Sequence, residues 1–564
     1  MNNLQEKLLD IARIPVAIIG GGMSGLYTGW RLQQQNPGQR VVIFEGSDRT
    51  GGRLFTWMPY GRGSGLRAEL GGMRFFKEQQ MVWNLVQELG LEIVDFFATG
   101  PNTRLYLRGQ SGSMENPSTV AKRYMLAPEE QGKSAGDLIE GAIKTVLGTA
   151  ENRAVLAKQL EGRFPETRED WDQIKGDLTY NGKPLWTLGF WNVLSEVLSY
   201  EAYQYTTDTF GYYSLTTNWN AAEAMQNLSI DFTQDPDYKT LANGYSSLPD
   251  RLRAEFERMG GKVMLNCRLV RLEAHEDKSF SLFFQDAQGV EARVRADKVV
   301  LGMPRRALEQ IQPSKTWDPA ANPTLRYLLD SVQAYPAFKL FLLYEFRWWE
   351  EQGIVHGRSV SDLPIRQTYY FRPDACEQNA GGAGPGYGLV MASYDDARAV
   401  DFWKGLELAP EAREQARKEL KEWLSRQPKA IAGLFGAAGP SPEPPPNMHK
   451  APKEMMIRAK EQLALLHDLD PEEIPDPVFG AYADWSLEPY GGGWFFWEPQ
   501  VDVEPVMKRI KEPLEGYPLY IVGDAYSGSQ GWVEGALTTA EIVLQQKFGL
   551  EWPVWLPQGY YLGW

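Results

Sequence analysis

The chain has 564 residues, which is too long for one hydrophobic core and predicts two or three domains. Its formal net charge of −15 argues against a nucleic-acid or anionic-membrane partner. Cys267 and Cys376 give no disulfide framework or metal cluster, and the histidines share no ligand spacing. The sequence contains no apolar run of about 18 residues. It also lacks a secretion-signal pattern, so we expect a cytoplasmic protein unless a leader has been removed.

The first strong pattern runs from Val16 to Glu45 and reads VAIIGGGMSGLYTGWRLQQQNPGQRVVIFE. An apolar run predicts a buried strand over 16–19, and a helix follows from Ser24 to Asn36. A second strand is predicted over 40–44, with Glu45 at its carboxyl end. Gly20, Gly22 and Gly25 stand between the first strand and the helix in the G-x-G-x-x-G spacing.

Each residue of this pattern has a physical role in dinucleotide binding. Gly20 permits a tight turn, Gly22 lets backbone approach a pyrophosphate, and Gly25 lets the helix pack close to the strand. The helix N-terminus offers N–H groups to the phosphates, and Glu45 can accept hydrogen bonds from a ribose. The pattern therefore predicts dinucleotide binding; the alternative is a glycine-rich turn without a ligand.

Two further glycine pairs follow, each beside an arginine. Gly51-Gly52-Arg53 allows a tight turn, and Arg53 can supply a bidentate cation to a pyrophosphate. Gly71-Gly72-Met73-Arg74 again lets a flat ligand come close. From local sequence alone, Arg74 is either a surface residue or a group that binds a carboxylate.

The middle of the chain alternates between helical and strand-rich segments. Residues 120–212 read as helical, whereas a strand-rich block from 243 to 302 predicts a return to the first sheet. Later strands are predicted over 339–345, beginning at Lys339, and over 387–394, ending at Tyr394. Residues 376–386 and 436–453 read as surface loops. Over 518–546, a strand, Gly523-Asp524, a loop and a helix form a second place where backbone can meet the same cofactor.

Taken together, these motifs resemble those of the flavin amine oxidases, specifically the L-amino-acid oxidase branch. The resemblance rests on residues 20–45, 51–53 and 71–74 and on GDAYSGSQGWVEGA at 523–536, in the expected order along nearly the whole chain. It implies an α/β fold. A Rossmann-like FAD-binding domain of the p-hydroxybenzoate hydroxylase/glutathione reductase type would carry a mixed-sheet substrate-binding domain and an all-helical insertion.

The resemblance also implies domain boundaries. The expected segments are 1–80, 243–320 and 505–548 for the FAD-binding domain, 81–119, 216–242 and 321–504 for the substrate-binding domain, 120–215 for the helical domain and 549–564 for a C-terminal tail.

The resemblance implies noncovalent FAD, because the loop over 527–530 has no cysteine to attach a flavin. Leu269 matches a position that meets the adenine through its backbone. The implied cofactor-binding residues are Gly20, Gly22, Met23, Ser24, Gly25, Glu45, Gly52, Arg53, Gly71, Gly72, Met73, Arg74, Leu269, Gly523, Asp524, Gly531, Trp532 and Val533.

The substrate residues are implied by the same resemblance. Arg74 distinguishes the amino-acid branch, because substrates that lack a carboxylate need no arginine at this position. Tyr394 matches a tyrosine that binds the same carboxylate, with its register uncertain by one residue. Gly531 would accept a hydrogen bond from the amine, Trp532 would line the pocket, and Lys339 would hold a water near the flavin N5. Residues 218–232 contain no histidine, so the mechanism cannot require a histidine base there.

The expected activity is oxidative deamination of L-amino acids by hydride transfer from Cα, with dioxygen as the second substrate. The alternatives are an amino-acid 2-monooxygenase, an amine or polyamine oxidase and a non-catalytic binding protein. The sequence leaves the side-chain preference open, although Asp231 could favour basic substrates. Family resemblance suggests a homodimer or a larger homo-oligomer.

Overall fold

The computed structural model describes Leu4, Leu8 and residues 13–59, 66–232, 237–371, 387–409, 412–422 and 445–564. The predicted loop over 376–386, the first half of the loop predicted over 436–453 and most of the N-terminal segment lie outside these residues. In the second half of 436–453 the structure has the largely buried strand Met448–Lys450, so the loop prediction is wrong there. The described strands are β1 Arg13–Ile19, β2 Val41–Phe44, β3 Thr56–Trp57, β4 Ala68–Glu69, β5 Ile93–Asp95, β6 Arg104–Leu107, β7 Gln110–Ser113, β8 Thr179–Tyr180, β9 Lys183–Pro184, β10 Lys239–Leu241, β11 Lys262–Met264, β12 Arg268–Ala274, β13 Phe280–Gln285, β14 Glu291–Leu301, β15 Val332–Tyr335, β16 Ala337–Tyr344, β17 Gly357–Ser361, β18 Gln367–Tyr370, β19 Gly388–Asp396, β20 Met448–Lys450, β21 Phe479–Asp484, β22 Trp494–Trp497 and β23 Leu519–Ile521.

Helices lie in each of the three segments where the sequence predicts them, 24–36, 120–212 and the end of 518–546, and others lie between those segments. Among the described residues, no helix is long and apolar enough to cross a membrane. In chain order they are α1 Met23–Gln35, α2 Gln80–Glu88, α3 Ser118–Ala121, α4 Ala135–Leu147, α5 Ala150–Gln159, α6 Arg168–Ile174, α7 Phe190–Val197, α8 Tyr200–Phe210, α9 Ala221–Ile230, α10 Ser247–Arg258, α11 Arg305–Glu309, α12 Pro323–Asp330, α13 Ala399–Lys404, α14 412–422, α15 Lys453–His467, α16 Val503–Ile510 and α17 Val533–Phe548.

The first sheet gathers strands from the beginning, middle and end of the chain. Its order is β11-β2-β1-β14-β13-β12, and β23 pairs with β14. Pairs among β11, β2, β1, β14 and β23 are parallel, whereas β12, β13 and the first part of β14 are antiparallel. Strand β1 is apolar throughout its second half because Ile19 packs into one core and Ile18 into another on the opposite face.

The second sheet is largely antiparallel and positions part of the cavity described below. Its order is β20-β21-β16-β19-β18-β17-β6-β7, and only the β17–β6 pair is parallel among the pairs described. Side chains of β16 alternate between two cores, with Phe341 in one and Phe338 and Leu340 in the other. Lys339 lies opposite Tyr394 in the β16–β19 register.

The segment over 120–215 differs from the prediction in one detail. Helices dominate it, but β8 and β9 form a two-stranded hairpin between α6 and α7, so the expectation of an all-helical insertion is wrong. The helices pack around one apolar cluster that includes Trp171 and Trp219. The chain has an α/β architecture of mixed sheets and helices, while the proposed domain boundaries and the Rossmann subtype stay predictions.

The C-terminal segment packs on the first sheet's helices. Leu550 and Leu556 are buried in the same core as α1 and α17. The Tyr560 hydroxyl donates to Glu534 at 2.6 Å, and Arg31 donates to the Glu551 carbonyl at 2.7 Å. This segment is therefore fixed to the body of the molecule.

Candidate functional site

One cavity of about 800 Å³ joins almost all of the residues that the sequence analysis singled out. Of the predicted cofactor and substrate residues, only Gly25 is absent from its lining. The lining includes Gly20, Gly22, Met23, Ser24, Glu45, Gly52, Arg53, Gly71, Gly72, Met73, Arg74, Leu269, Lys339, Tyr394, Gly523, Asp524, Gly531, Trp532 and Val533. Their individual roles stay predictions, but the motifs share one site.

One end of the cavity is lined mainly by backbone. Helix α1 begins after Gly22, and no side chain caps it, so its first N–H groups are available to an anion. A Cβ on Gly22 would meet only the Gly52 Cα, at 3.9 Å, and would project into this space. A Cβ on Gly25 would instead lie 2.0 Å from the Gly20 carbonyl oxygen. Gly25 therefore permits close packing behind the loop, while Gly22 keeps the cradle open.

Glu45 directly follows β2, at the position that the dinucleotide-binding pattern predicts. One of its carboxylate oxygens accepts from the Gly21 N–H at 2.6 Å, and the other accepts from the Ser47 N–H at 2.8 Å. These bonds fix the carboxylate beside the glycine loop, and it retains further lone pairs for a ribose. Leu269 lines the same end of the cavity.

Arg53 connects the second glycine motif to the last one. Its guanidinium forms an ion pair with Asp524 and donates to the Gly493 carbonyl at 2.9 Å. The sequence predicted only a contact between Arg53 and a pyrophosphate. The structure adds an ion pair between Arg53 and Asp524, which the sequence did not suggest. The uncapped helix, the open cradle and these charged groups fit the pyrophosphate and ribose of FAD.

Lys339 is buried where the backbone-lined end meets the rest of the cavity. Its Nζ donates to the Gly71 carbonyl at 2.6 Å and to the Glu69 carbonyl at 2.9 Å. It also lies 4.4 Å from the Tyr394 ring centre. Burial lowers the pKa of Lys339 to about 7, an effect that Glu69 opposes and Arg74 reinforces. Near neutral pH the amine can therefore gain or release a proton.

Arg74 supplies a positive charge at the other end. Arg74 as a whole residue is 9% exposed, and its guanidinium forms no ion pair with a carboxylate among the residues that the structure describes. Its Nη1 donates to the Tyr369 hydroxyl at 3.0 Å, and its carbon lies 4.0 Å from the Tyr238 ring centre. Burial alone would lower the pKa of Arg74, but four surrounding tyrosines raise it, so the group stays charged.

The aromatic side chains around Arg74 come from segments far apart in the chain. The Tyr212 ring packs edge-on against Tyr394 and Trp494, with centres 5.3 and 5.9 Å apart. The sequence analysis missed Tyr212, Tyr238 and Tyr369. No local pattern marks these tyrosines, because only the tertiary fold brings them to Arg74.

The register of Tyr394 follows from the alternation along β19. Tyr394 lines the cavity, whereas the neighbouring Ser393 and Asp395 are fully buried and bond to each other away from it. Gly531 has φ +79 and lies against Trp494. The Trp532 ring packs edge-on against Phe76 at 5.3 Å, on the same side of the cavity.

Asp231 does not offer a free charge to a basic substrate. Both of its carboxylate oxygens lie 2.5 Å from Nη2 of Arg168, and its side chain has no exposed surface. The following residue, Phe232, lines the cavity instead. The structure thus argues against the hypothesis that Asp231 selects basic amino acids.

The sequence and the fold both have known relatives. A family model described as flavin containing amine oxidoreductase matches residues 23–435. Aplysianin-A of Aplysia kurodai is 26% identical over 558 residues, covering 94% of this chain and 90% of that protein. L-amino acid oxidase Bs29 of Bothriechis schlegelii is 23% identical over 545 residues, covering 94% and 91%.

Among solved structures, putrescine oxidase bound to putrescine superimposes with a TM-score of 0.62 and 16% identity, covering 95% of this chain and 99% of that one. This likeness shows a shared fold. The family match covers most of the chain and agrees with the cradle, the ribose-side carboxylate and the uncapped helix, which together fit FAD. The chain therefore belongs to the flavin-containing amine oxidoreductase family, with FAD as its cofactor.

Proposed function

We propose that this protein oxidises L-amino acids to 2-oxo acids, with release of ammonia and hydrogen peroxide. The observation that carries the proposal is the buried Arg74 guanidinium, which lines the cavity without a carboxylate partner among the described residues. A buried charge is costly unless it is paired, so a substrate carboxylate would complete this site. An amine that lacks a carboxylate would leave Arg74 unpaired.

The hydrogen bonds around Arg74 favour a fixed orientation for that carboxylate. Tyr369 holds one nitrogen of the guanidinium at 3.0 Å, which leaves other N–H groups for a bidentate contact. Tyr394 lines the same cavity and would add its hydroxyl as a second donor. With the carboxylate held at this end, the Gly531 carbonyl would accept from the substrate amine.

The cradle at Gly22, Glu45 and Arg53 would hold FAD, and the bound group would supply an acceptor for the Cα hydride that dioxygen reoxidises with formation of hydrogen peroxide. The chain itself would supply orientation and proton transfer. Lys339, with its pKa lowered to about 7 by burial, would accept a proton from the substrate ammonium through water. Loss of the Cα hydride leaves an imino acid, and water then hydrolyses it to the 2-oxo acid and ammonia.

The apolar surroundings of the pocket favour large uncharged side chains. Phe232, Trp494 and Trp532 line the cavity, and the carboxylate of Asp231 is already paired with Arg168. We therefore expect L-phenylalanine and L-leucine to be better substrates than L-lysine or L-glutamate. A charged side chain would lose hydration without gaining a counter-charge.

The proposal is tested with the visible spectrum of the holoenzyme. L-amino acids are added anaerobically, air is then admitted, and the products are identified. Bleaching by large apolar L-amino acids, followed by recovery with peroxide and a 2-oxo acid, is expected. An amide product would assign the 2-monooxygenase reaction instead. Bleaching by amines alone would overturn the role of Arg74.

A further inference from the structure

A buried ion pair just outside the cavity contacts two segments that line it. Arg168 is the first residue of α6, and its Nη2 lies 2.5 Å from both carboxylate oxygens of Asp231. The Asp231 side chain is fully buried and that of Arg168 is 19% exposed. The pair joins the largely helical segment over 120–215 to Asp231. The next residue, Phe232, lines the cavity.

Arg168 also contacts the loop that precedes Trp532 in the chain. Its Nη1 donates to the carbonyl of Gly528, three residues before Gly531. The Trp532 side chain also acts on the Asp231 carboxylate, because it opposes the rise in the pKa of Asp231 that burial causes. The ring centres of Phe232 and Trp532 are 6.3 Å apart. One guanidinium thus binds the residue that precedes Phe232 and a carbonyl of the loop that leads to Trp532.

We propose that Arg168 is a positioning residue for the substrate pocket. Through Asp231 and Gly528 it holds Phe232 and Trp532 in place against the side chain of the substrate. The inference rests on the proposed function, because it assigns this aromatic surface to an amino-acid side chain. It also gives the helical segment a defined role in the site, although Arg168 itself does not line the cavity.

The geometry explains why this arginine would matter more than an ordinary ion pair. A planar guanidinium can bind a carboxylate with one edge and a carbonyl with another, and a lysine cannot reproduce that geometry. Removing the guanidinium would leave the Asp231 carboxylate buried without a counter-charge, so the chain around 231–232 would have to rearrange. A shift of about 1 Å in a residue that positions substrate can cost about a hundredfold in rate.

The same segment of the chain provides a matched control. Arg163 binds Asp170 of α6 with Nη1 2.7 Å from one carboxylate oxygen, but neither residue lines the cavity. Arg163→Met therefore disturbs an ion pair of the same helix without releasing a pocket residue. Any effect that Arg168→Met shares with this control reflects the stability of the helix and not the position of the substrate.

The experiment compares holoenzymes carrying Arg168→Met, Asp231→Leu, Asp231→Asn and Arg163→Met. The constants kcat and KM, per bound FAD, are measured with L-phenylalanine and L-alanine. Arg168→Met and Asp231→Leu should raise KM for L-phenylalanine about tenfold or more, and should affect L-alanine much less. Asp231→Asn keeps one acceptor oxygen for Arg168 and should raise KM for L-phenylalanine less than Asp231→Leu does. Arg163→Met should retain the wild-type ratio within about threefold.

A purely structural role would lower the active fraction equally for both substrates and leave both KM values unchanged. That result with Arg168→Met and Asp231→Leu would overturn the proposal. If Arg168→Met does not fold, Arg168→Lys keeps the charge but loses the second contact, and an unchanged KM for L-phenylalanine in that variant would be equally decisive.

A binding measurement separates this inference from the proposed function. Benzoate, an aromatic carboxylate, is titrated into each oxidised holoenzyme while the flavin absorption is followed. If wild type oxidises no L-amino acid, the proposed function fails, but about tenfold weaker benzoate binding in Arg168→Met than in Arg163→Met would still support the positioning role. Equal benzoate affinity in these two variants would contradict it.

Discussion

The two ends of the cavity are built in different ways. At the cofactor end, backbone groups line the space: helix α1 is uncapped, Gly22 leaves the cradle open, and the Glu45 carboxylate is fixed by N–H groups. At the substrate end, side chains line the space, with Arg74 among tyrosines. Lys339 lies where the two ends meet.

This difference predicts that substrate binding and cofactor binding can be altered independently in this site. A backbone cradle depends on glycine positions and tolerates little change, because a Cβ at the wrong place meets a carbonyl or the ligand. A side-chain pocket can be altered residue by residue without disturbing the cradle. Substitutions at one end should therefore leave the function of the other intact, and the predictions below test that separation.

The largest effect is expected at Arg74. Arg74→Ala should lower kcat/KM for L-amino acids by about a thousandfold, equivalent to about 4 kcal/mol, because the substrate carboxylate loses its buried counter-charge. The FAD content and its absorption should stay at the wild-type level. Arg271→Ala is the matched control, since Arg271 also lies over an aromatic ring, 3.9 Å from the Phe283 centre, but outside the cavity.

The next effect concerns FAD itself. Gly22→Ala should weaken FAD binding by about tenfold or more, because its methyl group would occupy the cradle beside Gly52 while meeting no protein atom closer than 3.9 Å. The apoprotein should unfold at the wild-type temperature. Gly141→Ala, on an open helix surface, is the control and should leave FAD affinity unchanged. Equal affinities in all three proteins would show that the cradle does not bind the pyrophosphate.

A smaller effect is expected at Lys339 and depends on pH. Because burial lowers the pKa of Lys339 to about 7, the amine is charged below that pH and can accept a proton only above it. In wild type, kcat/KM should rise through pH 7, and Lys339→Met should lose this rise and fall about tenfold below wild type at pH 8. A rise that persists unchanged in Lys339→Met would assign it to the substrate ammonium.

The smallest effect is expected at Tyr369, which orients Arg74. Tyr369→Phe removes the acceptor 3.0 Å from Nη1 and should raise KM for L-amino acids about fivefold, equivalent to about 1 kcal/mol. The neighbouring Tyr370 points the other way along β18 and bonds to His467 at 2.7 Å. Tyr370→Phe should lower thermal stability and leave KM unchanged. A change of KM in the Tyr370 variant alone would reverse these roles.

Much of the cofactor end could be predicted from the sequence because its geometry is local. The spacing of Gly20, Gly22 and Gly25 specifies a strand, a turn and a helix within a short stretch, and Glu45 follows at the end of the next strand. The predicted helix bounds there differ from the structure by about one residue. Local pattern also predicted β16, which carries Lys339.

The substrate end could be predicted only in part, because its neighbours are distant in sequence. The roles of Arg74 and Tyr394 were predicted from the family resemblance. The pairing of Lys339 with Tyr394 could not be predicted, because it depends on the register between β16 and β19. The sequence does not single out Tyr369, because its strand ends in two tyrosines, Tyr369 and Tyr370, and only Tyr369 bonds to Arg74. The strands β15 and β17 were missed, as was the pairing of Asp231 with Arg168, which reversed the interpretation of that carboxylate.

The most direct test of the central claim compares an amino acid with its decarboxylated counterpart. Anaerobic flavin reduction is measured with L-phenylalanine and with phenethylamine, in wild type and in Arg74→Ala. We predict that wild type prefers L-phenylalanine by about a hundredfold or more and that Arg74→Ala loses most of this preference. Equal reduction by both compounds in wild type, or an unchanged preference in the variant, would contradict the assignment of Arg74 as the carboxylate-binding residue.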